Sequence, residues 1–121
     1  MEKKIDVSIV FLTFNGISDH FEETFTEVSK QKSNYAFEII VIDSGSTDGT
    51  VEFVKRNPFS QLHQIPNSEF GHGKTRQIGV TLANGKYVVF LTQDATPHNE
   101  FWLDALIDNF KDTAVVGVCG R

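Results

Sequence analysis

Apolar runs alternate with amphipathic stretches along the 121-residue chain, and the spacing within each predicts its element. Val7–Leu12 is a short apolar run before the turn-prone Asn15-Gly16 and reads as a buried strand. A helix is predicted over roughly Phe21–Lys30, capped by Asp19, with Phe21, Phe25 and Val28 on one face. Phe37–Ile42, rich in β-branched residues, is a second strand. It runs into Asp43-Ser44-Gly45-Ser46-Thr47-Asp48-Gly49, a loop made of turn and cap residues. A short helix over Thr50–Arg56 is stopped by Asn57-Pro58, and Gln61–Ile65 is a weaker strand closed by Pro66. The Gly-punctuated segment Phe70-Gly71-His72-Gly73 leads into a helix over Lys74–Leu82, for which Asn84-Gly85 predicts a left-handed ending. Tyr87–Leu91 is a fourth strand, Asn99–Phe110 a further amphipathic helix, and Ala114–Val118 begins a fifth strand.

Strands that are apolar almost throughout, each followed by a helix, predict an α/β fold. Its sheet is mostly parallel and Rossmann-like, with helices on both faces. Ligands bind such sheets outside the carboxyl ends of the strands. The polar residues just after the first, second and fourth strands are therefore the candidates for chemistry. No internal repeat or linker divides the chain, so residues 1–121 are expected to form one domain.

Composition narrows the partners. Hydrophobic residues make up 40% and charged residues 22%, as in ordinary globular chains, and 11 Phe promise an aromatic core. A formal net charge of −5 argues against nucleic acid or an anionic membrane surface as the partner. It leaves room for a small phosphorylated ligand held by backbone N–H groups, an arginine and a metal. Cys119 is the only cysteine, so no intrachain disulfide forms and a reducing compartment is the expectation. Met1-Glu2-Lys3-Lys4 leads directly into a strand without the apolar core of a signal peptide. A cytoplasmic location is expected, at the inner face of the membrane for a longer protein.

Several nucleotide motifs can be weighed. Gly73-Lys74-Thr75 has the ending of a P-loop, but Ser68 stands where that loop needs its first glycine. A P-loop-like nucleotide hydrolase is thus the third reading. The segment after the first strand, Thr13-Phe14-Asn15-Gly16-Ile17-Ser18, lacks the glycine pattern of dinucleotide-binding folds. Asp43–Asp48 fails the register of a calcium loop. Asp43 is placed where a carboxylate can accept the N3–H of uracil or thymine. The competing reading of Asp43 is a cap for the segment that follows. Thr13 and Asn15 could line the same pocket or be ordinary turn residues. Arg76, in the first turn of the predicted third helix, is poorly placed for the helix dipole and so favours an acidic partner such as a diphosphate. Asp94 is a lone carboxylate at a strand edge, suited to a hard cation already held by a diphosphate, or else a loop cap. His20, His63, His72 and His98 have no ligand spacing.

The blocks Val7–Asn15, Glu38–Thr50, Gly71–Gly79 and Phe90–Ala95, in this order and spacing, resemble the family-2 glycosyltransferases of the GT-A fold over essentially the whole chain. The resemblance implies an inverting transfer of sugar from a nucleotide-diphosphosugar, UDP- or dTDP-linked, to a hydroxyl acceptor on a glycan or lipid-linked glycan in cell-surface polysaccharide synthesis. It implies that Thr13 and Asp43 contact the base and that Arg76 lies near the base or the diphosphate. Asp94 matches the second carboxylate of the family's Asp-x-Asp metal motif. Thr92 replaces the first Asp of that motif and Ala95 a common third one, while Leu12 stands for the usual Pro and Gln77 for the usual Asn. With one carboxylate left, a divalent cation (Mg or Mn) is expected to bind mainly together with the donor. The Thr92-Gln93-Asp94-Ala95 version looks like rhamnosyltransferase-type members. The family's catalytic base lies in the acceptor-binding half, and no residue here matches it, so it is expected beyond Arg121. This chain alone is expected to bind donor without transferring. The alternative is a non-catalytic interaction fragment that keeps only the fold. An apolar edge at Val115–Val118 predicts self-association.

Overall fold

A computed structural model describes residues 5–16, 21–32, 35–57, 60–69, 71–92, 101–104 and 117–120. Among these described residues five strands, β1 (Val7–Thr13), β2 (Phe37–Asp43), β3 (Ser60–Gln64), β4 (Tyr87–Thr92) and β5 (Gly117–Gly120), form one sheet in the order β3-β2-β1-β4-β5. Every pairing among them is parallel. The described residues also include the helices α1 (Phe21–Ser29), α2 (Thr50–Lys55) and α3 (His72–Leu82), with a 3-10 turn at Asn67–Glu69. None of them is long and apolar enough to cross a membrane. The expected Asp19 cap and most of the predicted Asn99–Phe110 helix lie outside the described residues, although 102–104 are helical.

The strand order explains the layers. From β1 the chain steps outward to β2 and β3, then returns across β1 to β4. Parallel crossovers are right-handed, so reversing the direction of travel moves the connecting helix to the opposite face. Accordingly, α1 and α2 share one face, where Phe21, Phe25, Val28, Phe53 and Val54 pack with Val7, Ile9, Phe11, Ile39 and Val41. α3 covers the other, where Ile78 and Leu82 pack against Val10, Ile40 and Ile42. β1 and β2 bury residues on both faces, which is why they read as unbroken apolar runs.

The larger layer is aromatic. Phe11–Phe21 and Phe25–Phe53 ring centroids are both 5.3 Å apart, meeting edge to face at 83° and 81°. Phe21 bridges them at 5.7 Å from Phe25 and 6.0 Å from Phe53. Such pairs add about 0.5–1.5 kcal/mol each beyond area burial. They clamp α1 and α2 to β1.

One sequence expectation is corrected at the amino end of the sheet. α3 does not end in a left-handed Asn-Gly pair. Its C-cap is Ala83 in an extended conformation (φ −69°, ψ 136°), and positive φ occurs among the described residues only at Asn15, Gly45 and Gly49. Gly85 is needed for closeness instead, because a Cβ there would lie 2.7 Å from Ser8 N and from Val7 C. Its N–H donates to Ser8 Oγ at 2.8 Å. Glu38 completes this clasp by accepting from Ser8 Oγ, from Asn84 N at 2.7 Å and from Asn84 Nδ2 at 3.2 Å.

Candidate functional site

The topology reverses direction between β1 and β4, and the carboxyl ends of these strands define the crevice where open α/β sheets bind ligands. Thr13, at the end of β1, is paired in register with Asp43 at the end of β2. That pairing brings together residues 30 positions apart, and Thr13 Oγ1 donates to Asp43 Oδ1 at 2.8 Å. Both side chains are buried, Thr13 at 2% and Asp43 at 1% exposure.

Asp43 is the hub of the loop that follows it. Its Oδ2 accepts from Gly45 N at 3.1 Å and Ser46 N at 2.8 Å, and its Oδ1 accepts from the Ser46 hydroxyl as well as from Thr13. Gly45 at φ 98° provides the turn that lets two successive amides face one carboxylate oxygen. The backbone carbonyl of Asp43 accepts from Ile65 N at 2.8 Å, tying β3 to the same corner.

Asn15 locks the first loop onto the second. It occupies the left-handed region at φ 50°, which asparagine tolerates better than most residues. Its N–H donates to Ser46 Oγ at 2.7 Å, and its Oδ1 accepts from Thr47 N at 2.8 Å. Ser44 N and Ser44 Oγ both donate to the Thr13 carbonyl, at 3.0 and 3.2 Å. Thr13, Asn15 and Asp43, three residues singled out from the sequence, are thus brought into one hydrogen-bonded cluster.

Between the clamped Thr13 and Asn15 lies Phe14, with 46% of its surface exposed. Sequence reading passed over it, since an apolar residue at a strand end looks like core. The available signal was position: it sits inside the polar Thr13–Asn15 segment, past the last buried apolar residue of β1. An exposed ring at the carboxyl end of an open α/β sheet is a surface on which a planar base can stack.

Arg76 projects from α3, and its guanidinium carbon stands 5.7 Å from the centroid of the Phe90 ring on β4. α3 begins at His72, two residues earlier than predicted, so Arg76 falls in its second turn. The dipole argument for an acidic partner therefore loses its force, because the effect is confined to the first turn. What holds Arg76 near β4 is geometry. Gly79, one turn later, lets the helix lie close to the sheet, since a Cβ there would meet Val10 Cγ1 at 3.0 Å and Phe90 Cε1 at 3.1 Å.

Gly73, Lys74 and Thr75 lie within α3, not in a loop, and Thr75 Oγ1 accepts from Gly71 N at 3.2 Å. That conformation does not wrap a phosphate as a P-loop does. Asp94, like His20 and His98, lies outside the described residues. Among the described residues no group of three or more His, Cys, Asp or Glu side chains converges.

The family model for glycosyl transferase family 2 matches residues 8–121. The O-antigen chain rhamnosyltransferase WbaN of Salmonella anatum is 36% identical over 115 residues, covering 94% of this chain and 36% of the relative. RfbN of Salmonella typhimurium, also an O-antigen chain rhamnosyltransferase, is 31% identical over 116 residues, covering 95% and 36%. The chain therefore spans about a third of the length of these relatives. Among solved structures, residues 1–349 of TarS from Staphylococcus aureus match with a TM-score of 0.72 at 27% identity, covering 88% of this chain and 33% of that one. The same fragment in complex with UDP matches with a TM-score of 0.67 at 26% identity. A mannosyltransferase from Pyrobaculum calidifontis, in complex with GDP-Man and Mn2+, matches with a TM-score of 0.65 at 26% identity over 81% of this chain and 30% of that one.

Proposed function

The chain belongs to glycosyl transferase family 2, and from that premise we propose that it is the donor-binding portion of an inverting glycosyltransferase. The donor is a nucleotide-diphosphosugar, UDP- or dTDP-linked, and the sugar passes to a hydroxyl acceptor on a cell-surface glycan. Rhamnose is the sugar favoured by the two O-antigen relatives. The observation that carries the reading is the crevice itself. A rigid pair of loops at the ends of β1 and β2 presents the exposed Phe14, and Arg76 lies on the other side of β1 against β4.

In this arrangement the base stacks on Phe14 and the Arg76 cation meets the donor's negative charge. By its match to the family's metal motif, Asp94, which lies outside the described residues, would hold a divalent cation with its carboxylate, as suits a hard ion. The cation, when bound, neutralises charge on the diphosphate. The role proposed for these residues is donor binding, and none of them is assigned as the base that deprotonates the acceptor.

Calorimetric titration of the folded chain with UDP, dTDP and GDP, with and without Mn2+, tests the reading. Binding of at least one diphosphate, strengthened by Mn2+ and losing that strengthening in Asp94→Ala, is the expected result. A folded chain that binds none of them refutes it and leaves the fold-only interaction fragment.

A further inference from the structure

We infer that Asn15 is a positioning residue: it staples the loop after β1 to the loop after β2, and so fixes where Phe14 meets a base. The inference rests on the donor-binding reading and gives Asn15 a part in it that requires no contact with the donor.

Two hydrogen bonds of opposite direction make the staple. Asn15 N–H donates to Ser46 Oγ at 2.7 Å, and Thr47 N–H donates to Asn15 Oδ1 at 2.8 Å. They join residues 31 and 32 positions apart, so neither bond serves a local turn. One bond would let the two loops pivot about it. The pair closes a ring between them and fixes orientation as well as distance.

Few side chains can hold this place. Asn15 lies at φ 50°, a region that glycine, asparagine and aspartate enter most readily. Glycine has no side-chain acceptor for Thr47 N–H. Aspartate has one on a stem of the same length, but adds a negative charge to a chain whose formal net charge is already −5. Asparagine alone of the three combines the backbone conformation, the acceptor and neutrality, which suits a site for an anionic donor.

The need for a staple follows from Phe14. Its ring keeps 46% of its surface exposed, so burial holds it less firmly than a core ring. Thr13, on the strand side, is anchored through its bond to Asp43. Asn15 supplies the anchor on the other side, and Ser46, which accepts from Asn15 N, itself donates to Asp43. Phe14 is thereby set in place before any ligand arrives, and binding is spared the cost of ordering its loop.

Asn15→Gly and Asn15→Asp test this against the parent, by calorimetric titration with uridine, thymidine and their diphosphates at a temperature where all three proteins are folded. Glycine keeps the φ and the bond to Ser46 but loses the acceptor for Thr47 N–H. It weakens nucleosides and diphosphates alike by about three- to tenfold, the worth of one hydrogen bond. Aspartate restores the acceptor, and nucleoside affinity returns to within about twofold of the parent. Toward diphosphates its charge leaves a deficit that shrinks as salt is raised. If Asn15 instead touches the donor through its NH2, aspartate lacks that group and binds nucleosides as weakly as glycine does, or the glycine loss is confined to the diphosphates. Either result overturns the inference, as does an unchanged affinity in Asn15→Gly.

A ligand-free readout separates the staple from the donor reading. In the unliganded parent and in Asn15→Asp, the Thr47 amide exchanges with deuterium about three- to tenfold more slowly than in Asn15→Gly. Equal exchange in all three overturns the inference even if nucleotides bind. Slower exchange in the parent, with no nucleoside or diphosphate bound, refutes the donor reading and removes Phe14 presentation from the inference with it. Should Asn15→Gly fail to fold, Ser46→Ala cuts the staple from the other loop and gives the same uniform loss, which Ser46→Thr restores. Unchanged affinity in Ser46→Ala overturns the inference.

Discussion

Gly85→Ala separates two explanations of one glycine, because its cost comes from the backbone of a neighbouring strand. The new Cβ would lie 2.7 Å from Ser8 N and Val7 C and 2.9 Å from Ser8 Oγ. Two of those atoms are main chain in the central strand, so no rotamer change relieves the contact. The turn after α3 must lift, which breaks Gly85 N–H to Ser8 Oγ and strains the two bonds from Asn84 to Glu38. One neutral bond at about 1 kcal/mol and charge-assisted bonds partly lost at about 1.5–3 kcal/mol place the cost at about 2–4 kcal/mol. For a chain of this length each kcal/mol moves Tm by roughly 3–5 °C, so a fall of about 10 °C is expected. Two companions calibrate the measurement. Ser8→Ala removes the hydroxyl without adding bulk and must cost less than Gly85→Ala. Gly73→Ala, where an added Cβ meets nothing within 4 Å, changes stability by zero to about 1 kcal/mol in the favourable direction. Urea unfolding followed by circular dichroism, with unchanged m-values, provides all three numbers. The reasoning is refuted if Gly85→Ala unfolds within about 0.5 kcal/mol of the parent, the range of an ordinary surface change.

The same glycine shows where sequence stops informing. An Asn-Gly pair after a helix signals both a left-handed turn and a close approach, and only the position of β1 reveals that closeness decides here. β1, β2 and β4 were legible because strands covered on both faces must be apolar throughout. β3, with the sequence Ser60-Gln61-Leu62-His63-Gln64, reads weakly because it is the edge of the sheet and buries little. At the site, Thr13, Asn15 and Asp43 were identifiable as polar residues at strand ends. Their mutual bonding was not, since it depends on the Thr13–Asp43 register and on a left-handed Gly45. Phe14 was missed for the opposite reason: its type suggests burial, and its exposure follows from the loop geometry around it.

Phe25→Ala opens a cavity in the cluster formed with Phe11, Phe21 and Phe53, and denaturant titration should show a loss of about 3–5 kcal/mol. Phe14→Ala removes a half-exposed ring, so stability changes little. The affinity for every bound nucleoside diphosphate falls by the equivalent of about 1–3 kcal/mol, the worth of stacking on one base, and an unchanged affinity would remove Phe14 from the site. Arg76 requires a finer test, because both the base and the diphosphate are within its expected range. A guanidinium bonded to phosphate contributes about 1.5–3 kcal/mol, or roughly 10–150-fold in affinity. Its contact with the Phe90 ring contributes about 0.5–1 kcal/mol at an exposed position, so the affinities are compared at a temperature where Arg76→Ala is fully folded. Comparing UDP with uridine then locates the charge. If Arg76 meets the diphosphate, Arg76→Ala weakens UDP by that factor and leaves uridine alone, and the loss shrinks as salt screens the parent's advantage. If it meets the base, both ligands weaken equally and salt has little effect. Phe90→Leu, which removes the ring beneath the cation, should reproduce part of the UDP loss in the first case. No change in either ligand's affinity would mean that Arg76 serves α3 and β4 and not the donor.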